Sequence, residues 1–395
     1  MTLRIAVTGL AATYPYGGPF WDYMQYPIGL RKLGHDVLYI EDAELWGYDP
    51  ITHTFVEHGG RHADWFAKRV EAFAPDLEDR WFFRDATGRT YGREWSEVVR
   101  FCREADLFLH LSASCWMREE YYEAGKVVFI DSDPMYTQSS VPGYLEGALG
   151  ELDLSRIEML RRHDEFFTFG ENVGSPGCKI PTELFDWKPA RQPVVLDLFR
   201  DAAVPIENRR RALTTVASWE PSKMNLIVEG VAYGGKSLEF ERFIELPRRS
   251  AMSMELALNG EIPKKRLREH GWKLIEPISV SSDPWVYRDY LASSLAEWSV
   301  AKNAYVDSRS GWFSCRTACY LALGVPAIVQ DTGFDLPTGE GLFKFSTLDE
   351  AADAIEELAS DPNRHAKAAR EIAAEYFDSG RVLTELIEGA LGVGS

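Results

Sequence analysis

The sequence predicts an α/β protein built as two doubly wound halves facing across a cleft, and three observations carry that prediction. At 395 residues the chain exceeds one comfortable core, because single cores stop growing beyond about 250–300 residues. Short apolar, β-branched runs alternate with amphipathic helical stretches along both halves, the pattern of βα units around a parallel sheet. Between Trp187 and Arg211 the chain carries Pro189, Pro193 and Pro205 and ends in a basic run, which reads as a hinge centred on residues 191–211.

Composition narrows the class. Apolar residues make up 45% and aromatic residues 13%, enough for sizeable cores and too many for a disordered chain. The net charge of −18 is shared by both halves and argues against a life on nucleic acid or anionic membrane. Five cysteines without a CxxC pair fit a reduced compartment. Cys315 and Cys319 are one helical turn apart, but with no histidine nearby they read as buried thiols. The opening Met-Thr-Leu-Arg-Ile-Ala-Val reads as a strand rather than a leader, and no run has the length of a membrane span. The expectation is a cytoplasmic protein with no integral membrane association.

The first half is assigned to residues 1–190. Ile5 to Leu10 reads as a strand, followed by a wide loop with Tyr14, Tyr16, Gly17 and Gly18. A helix ending at Lys32-Leu-Gly-His35 and the strand Asp36–Glu41 complete a βαβ unit, which requires a parallel sheet. The loop is not GxGxxG, so a dinucleotide fingerprint is absent. It still lies at the carboxyl edge, where open sheets bind ligands. Residues 42–100 lack periodicity and read as an aromatic insertion shaping a pocket. Asp106–Ser112, Lys126–Pro134 and Glu165–Gly170 are further strands, the last closing this half.

The second half, residues 212–375, opens with the strand Ala212–Ala217, with Ser218 just beyond it. Helices are expected at Ser237–Leu246, Lys264–His270 and Pro284–Ala292, and strands at Met254–Leu258, Trp272–Ile275 and Ala296–Ala301. Helices at 348–360 and 364–389 follow, and the segment 376–395 is expected to pack back onto the first half. The densest signal is Tyr305–Phe334, which reads as loop, helix, turn, strand and loop. Ser308, Ser310, Gly311 and Ser314 precede an apolar helical run, Gly324 and Pro326 stop it, and Val325–Val329 is a buried strand. A helix start flanked by Arg309 and Arg316 offers backbone N–H groups and positive charge to a diphosphate; capping alone does not call for two arginines.

At Ser310-Gly-Trp-Phe-Ser314, Gly324-Val-Pro326 and Gln330-Asp-Thr-Gly-Phe334 the chain resembles GT-B-type glycosyltransferases, with further matches at Leu256–Gly260, Glu297–Lys302 and Ala373–Phe377. The resemblance is dense over about residues 212–380 and looser before them. It implies two Rossmann-like domains, a UDP or TDP sugar held by the second and an acceptor by the first. The implied activity is hexosyl or deoxyhexosyl transfer of the bacterial type to a small hydroxylated or aromatic acceptor, without metal or cofactor. It implies diphosphate binding at Ser310, Gly311, Trp312, Phe313 and Ser314, with Lys236, Lys302 and Arg309 neutralising phosphates and Ser218 beside them. Glu297 stands where a carboxylate can bind a ribose, and Gln330, Asp331, Thr332 and Gly333 where a loop contacts the sugar. That last loop reads equally as a plain turn. Cys315 stands where the group more often carries an acid.

The acceptor side is more open. Asp131 and Asp133 either cap a turn before Pro134 or serve as general base, and Asp22, Tyr14 and Tyr16 compete for that role. Asp131-Ser-Asp133 has metal-pair spacing but lies in the acceptor half, so no metal is expected there. The rival functions are a nucleotide-sugar epimerase on the same fold and an inactive nucleotide-sugar-binding protein.

Overall fold

The computed structural model describes residues 2–219 and 226–393, so the last two residues of the predicted terminal segment lie outside it. Ten strands come from the first half: β1 (Arg4–Thr8), β2 (Asp36–Glu41), β3 (Gly47–Asp49), β4 (Thr54–Val56), β5 (Trp81–Arg84), β6 (Thr90–Gly92), β7 (Leu107–Leu111), β8 (Lys126–Asp131), β9 (Glu165–Thr168) and β10 (Trp187–Pro189). Eight of them form one sheet in the order β10-β9-β8-β7-β1-β2-β5-β6, parallel except for the β5–β6 hairpin. The second half supplies β11 (Arg210–Ser218), β12 (Leu226–Val228), β13 (Val231–Tyr233), β14 (Ser253–Asn259), β15 (Lys273–Ile275), β16 (Ser294–Ser299), β17 (Ala327–Gln330) and β18 (Leu342–Phe345). Its main sheet is all parallel, in the order β15-β14-β11-β16-β17-β18.

Both sheets are doubly wound. Strand order reverses at β1, flanked by β2 and β7, and at β11, flanked by β14 and β16. Such reversal points open crevices at the carboxyl ends of the strands. The strands read as near-continuous apolar runs because helices cover both faces; all five residues of β7 are buried, His110 included. His110 meets the His163 ring at 3.0 Å, a structural pairing within the core.

Several expected boundaries shift. The 42–100 stretch is not a free insertion: β5 joins the main sheet beside β2, and only the β3–β4 hairpin stands apart from it. Glu165–Thr168 is not the last strand, since β10 pairs beyond it. The expected strand Ala296–Ala301 begins two residues earlier, at Ser294. The helix expected at 364–389 is two helices, Pro362–Tyr376 and Ser379–Leu391. Asp378 separates them because its carboxylate caps the second, accepting from the backbone N–H of Gly380 at 2.9 Å and Arg381 at 3.2 Å. This last helix lies on the first sheet, where Lys126 and Lys188 donate to the carbonyls of Ala390 and Gly389. Val194, leaving the first half, bridges Asp378, where the chain returns to it.

One core spans both halves. The helix Gly17–Lys32 buries Phe20, Trp21 and Met24 in the same cluster as Tyr287, Leu291, Cys319 and Leu323 of the second half. Trp21 donates its indole N–H to the Pro284 carbonyl at 3.0 Å, and Arg69 pairs with Asp283 across the same seam. Gly17 permits this approach, because a Cβ there would stand 2.3 Å from the Cβ of Tyr287. Gly17 therefore serves packing rather than ligand contact, which corrects its assignment to the acceptor side. Gly17→Ala should lower stability by about 1–3 kcal/mol through overpacking. Gly18→Ala, with its nearest foreign atom 3.9 Å away, should change it by less than about 0.5 kcal/mol. Urea denaturation of the two variants checks the contrast.

Candidate functional site

The reversal points of the two sheets face a shared cleft of about 430 Å³. Its second-half wall is made of strand ends and helix starts: Ser218 ending β11, Asn259 ending β14, Glu276 to Ile278 after β15, Lys236 at the start of the helix Lys236–Arg242, and Ser314 to Arg316 opening the helix Cys315–Ala322. The first-half wall holds Tyr16, Gly18 and Asp22 from the first loop and helix, and Tyr48 and His53 from the β3–β4 hairpin.

Arg316 is the best-anchored cation. Its guanidinium donates to Glu297 Oε1 at 2.7 Å and to the Val216 carbonyl at 2.8 Å. Glu297 lies fully buried in mid-strand β16, and its other oxygen, Oε2, has no partner among the described residues. The expectation that Glu297 contacts a ribose is thereby corrected: it is the counter-ion that holds Arg316 against the cleft. Lys236 makes no hydrogen bond or ion pair among the described residues. Desolvation, then repulsion from Arg316 and Lys302, lowers its pKa to about 7. Ser314 caps its helix through the backbone only, so the first-turn N–H groups receive no side-chain cap.

Asp22 is exposed to the cleft, between its two walls. Desolvation pushes its pKa up to about 6, opposed by a hydrogen bond from the Cys315 thiol and by Arg316, while Asp133 adds to the rise. Its thiol partner stands one turn from Cys319, which receives the Gln25 amide. Desolvation raises both thiols well above their ordinary range. They are protonated thiols, Cys315 donating to Asp22 and Cys319 accepting from Gln25, not nucleophiles.

Other expected site residues are placed elsewhere. Asp131 is buried, and its oxygens accept from the Asp133 N–H, Thr137, Gln138 and Thr168 at 2.6–3.1 Å, leaving no site for an acceptor proton. Asp133 lies in a side cavity of about 240 Å³. Although desolvation works against it, the Lys302 charge and hydrogen bonds from Lys302 and Tyr305 hold its pKa low. Lys302 is thus spent on Asp133 rather than on phosphate. Arg309 pairs with Asp331 at 3.1 Å, outside the cleft. Gln330 is buried against Glu239 and the Ala301 N–H, and the Thr332 hydroxyl donates to the Trp312 carbonyl at 2.6 Å. Together with Gly333, whose carbonyl accepts from Asn172, these form a brace and not a sugar loop.

The Ser310–Ser314 turn divides in the same way. Ser310 is fully buried and braces the Trp312 N–H; Gly311, at φ +75°, lets the chain pass Asn172; Phe313 packs on Phe334 and Phe377. Only Trp312 and Ser314 reach the cleft, and the Trp312 indole donates to the Ser132 carbonyl at 3.0 Å. Tyr14 is half-buried and not on the wall. Sequence reasoning missed Asn259 and Glu276, which the strand-end rule would have found, and Tyr48 and His53, which carry no local signal.

No protein-family model and no curated protein matches this chain. Solved structures do. An alpha-glucosyltransferase in complex with UDP and a 13-mer DNA is 13% identical, covering 99% of this chain and 100% of that one, with a TM-score of 0.54. AviGT4, a glycosyltransferase involved in avilamycin A biosynthesis, is 13% identical over 98% and 97%, with a TM-score of 0.53. Sucrose-phosphate synthase from Thermosynechococcus elongatus is 12% identical over 98% and 99%, with a TM-score of 0.50. The chain has the GT-B fold over essentially its whole length. No helix among the described residues is long and apolar enough to cross a membrane.

Removing one partner of the Arg316–Glu297 pair leaves a buried charge unmatched. Arg316→Met should cost about 3–5 kcal/mol. The double variant Arg316→Met/Glu297→Gln should recover most of that loss, as read by thermal and urea unfolding.

Proposed function

We propose that this protein transfers a sugar from a nucleoside diphosphate sugar to a hydroxyl of a small acceptor. The observation that carries the reading is one cleft in a GT-B fold with two cations, Lys236 and Arg316, beside an uncapped helix start on one wall and a carboxylate, Asp22, on the other. The glycosyltransferase neighbours support it, and one of them holds UDP.

In this reading the diphosphate lies at the start of the Cys315–Ala322 helix, against Ser314, Arg316 and Lys236. The nucleoside reaches toward Ser218, Asn259 and Glu276. The acceptor oxygen attacks the anomeric carbon, the bond from that carbon to the diphosphate oxygen breaks, and Asp22 takes the hydroxyl proton. The leaving diphosphate gains negative charge as the bond breaks, and Lys236, Arg316 and the first-turn N–H groups stabilise it as fixed donors. A metal is not required in this scheme, because those groups supply the charge. Asp22 suits the base role: its pKa near 6 leaves it ionised at neutral pH yet basic enough to accept a proton. The Cys315 thiol holds its carboxylate in place.

Calorimetry with UDP and TDP tests the donor half. Binding should be tightest near pH 7 and weaken toward pH 9, because Lys236 loses its proton through that window and an arriving anion restores it. Proton uptake on binding, and a flatter pH dependence in Lys236→Arg, are the accompanying signatures. No binding of either nucleotide at about 5 mM by the folded protein refutes the assignment.

For the chemical step, Asp22→Asn should lower kcat by about 10²–10⁴ while UDP affinity stays within about threefold. In the unaltered enzyme kcat/KM should fall as pH drops through about 6, where Asp22 becomes protonated. A pH profile without that acid limb, or a fully active Asp22→Asn, removes Asp22 from the role.

A further inference from the structure

From the β3–β4 hairpin we infer a dedicated acceptor subsite for an uncharged or cationic ring-bearing alcohol, one that rejects anionic acceptors, nucleic acid among them. The inference rests on the proposed glycosyl transfer for its biological sense, but the subsite itself stands on geometry and charge.

The hairpin is the one paired element of the first half that belongs to neither large sheet among the described residues. It is nonetheless anchored. The Tyr48 N–H donates to the Thr13 carbonyl at 3.0 Å, His62 Nε2 lies 3.0 Å from the Tyr48 carbonyl, and Asp49 pairs with Arg61 at 2.9 Å. Gly47 lets His62 pack against the hairpin backbone, since a Cβ there would stand 2.7 Å from the His62 ring. Tyr48 is therefore held in place before any ligand arrives. Its ring stands 5.6 Å from that of Tyr16, and Phe55 abuts it edge-on at 5.2 Å. His53, at the turn, lies 3.4 Å from the Tyr48 hydroxyl and lines the cleft. Trp46, Ile51 and Phe55 are more than half exposed around the same hairpin. Aromatic walls of this kind take flat rings and the apolar faces of sugars.

Charge sets the second condition. From Glu41 to Gly60 the chain carries Glu41, Asp42, Glu44, Asp49 and Glu57 and no lysine or arginine. No first-half residue on the cleft wall is lysine or arginine. The arginines that approach from neighbouring elements are already paired: Arg84 and Arg118 with Asp42, Arg118 also with Glu44, Arg61 with Asp49, and Arg69 with Asp283. On the first-half wall a phosphate or carboxylate on the acceptor meets Asp22 and no lysine or arginine, the cleft's cations Lys236 and Arg316 standing on the opposite wall proposed for the donor diphosphate, whereas duplex recognition depends on neutralising phosphates. The neighbour that holds a 13-mer DNA shares the fold, but the wall described here lacks what DNA needs.

The test uses the full chain and matched probes read by saturation-transfer NMR: 4-nitrophenyl β-glucoside, its carboxylate analogue 4-nitrophenyl β-glucuronide, methyl β-glucoside, and a 13-mer duplex DNA. The 4-nitrophenyl glucoside should bind at millimolar concentration, and the glucuronide and methyl glucoside at least about tenfold more weakly. Tyr48→Ala should weaken the neutral aromatic probe about tenfold; so should Tyr48→Leu, which guards against local unfolding of the hairpin. His53→Asn, compatible with the positive φ at that turn, should weaken it about threefold. UDP affinity should stay within about twofold in all variants. Equal binding of glucoside and glucuronide overturns the inference, as do indifference to both Tyr48 variants, tighter binding of DNA, or no binding of the aromatic probe at about 20 mM. Aromatic binding lost in Tyr48→Ala, together with no UDP binding by any form, leaves the subsite standing and removes the donor reading instead.

Discussion

A fully buried carboxylate must be matched by a cation, and Glu297 imposes that demand at the centre of the second sheet. Arg316 answers it from the first turn of the following helix. The pairing fixes where that helix begins, which positions Ser314 and its uncapped turn at the cleft. The two ends of the pair also act unequally on Lys236: desolvation does most to lower its pKa, repulsion from Arg316 adds to that, and Glu297 opposes it less. One ion pair thus holds a helix start at the cleft and contributes to the protonation balance of the lysine beside it. Its energetic worth as a pair is modest; its cost when broken is large.

The same second half meets the first through a common core rather than a loose seam. Phe20 and Trp21 share a cluster with Tyr287 and Leu323, while Trp312 and Asn172 stitch the 305–314 loop to the opposite half. A cleft held this way is formed before ligand arrives. In the proposed transfer, exclusion of water then falls to elements around the rim more than to wholesale swinging of the halves.

Much of the fold was legible because its signals are local. Alternating βα periodicity, Gly324-Val-Pro326 at a helix end and the apolar 325–329 strand depend on near neighbours in sequence. The site was legible only in part, because it depends on partners far along the chain. Arg309 and Arg316 look alike beside Ser310–Ser314, yet one is claimed by Asp331 and the other aims at the cleft. Asp22, in the first helix, and Asp131, at a strand end, are both first-half carboxylates, and only their hydrogen-bond partners separate the one open to the cleft from the one consumed by its neighbours. β5 hid because Trp81-Phe-Phe-Arg84 is short and set among charges, and its parallel pairing with β2 spans some forty residues. His53 reaches the cleft through a hairpin that no periodicity announces.

The Val194–Asp378 bridge has a topological consequence. The chain leaves the first half and re-enters it at one doorway, where Val194 donates to the Phe377 carbonyl and accepts from Ser379. Residues 195–377 are thus an excursion whose two backbone ends touch at one point of the first unit, while the shared core holds its body against that unit. Such a cassette can be exchanged between proteins of this architecture without rerouting the backbone, provided the helix faces that meet Gly17 and Trp21 travel with it. Evolution of the second-half wall and of the hairpin-bearing wall can proceed separately on that account.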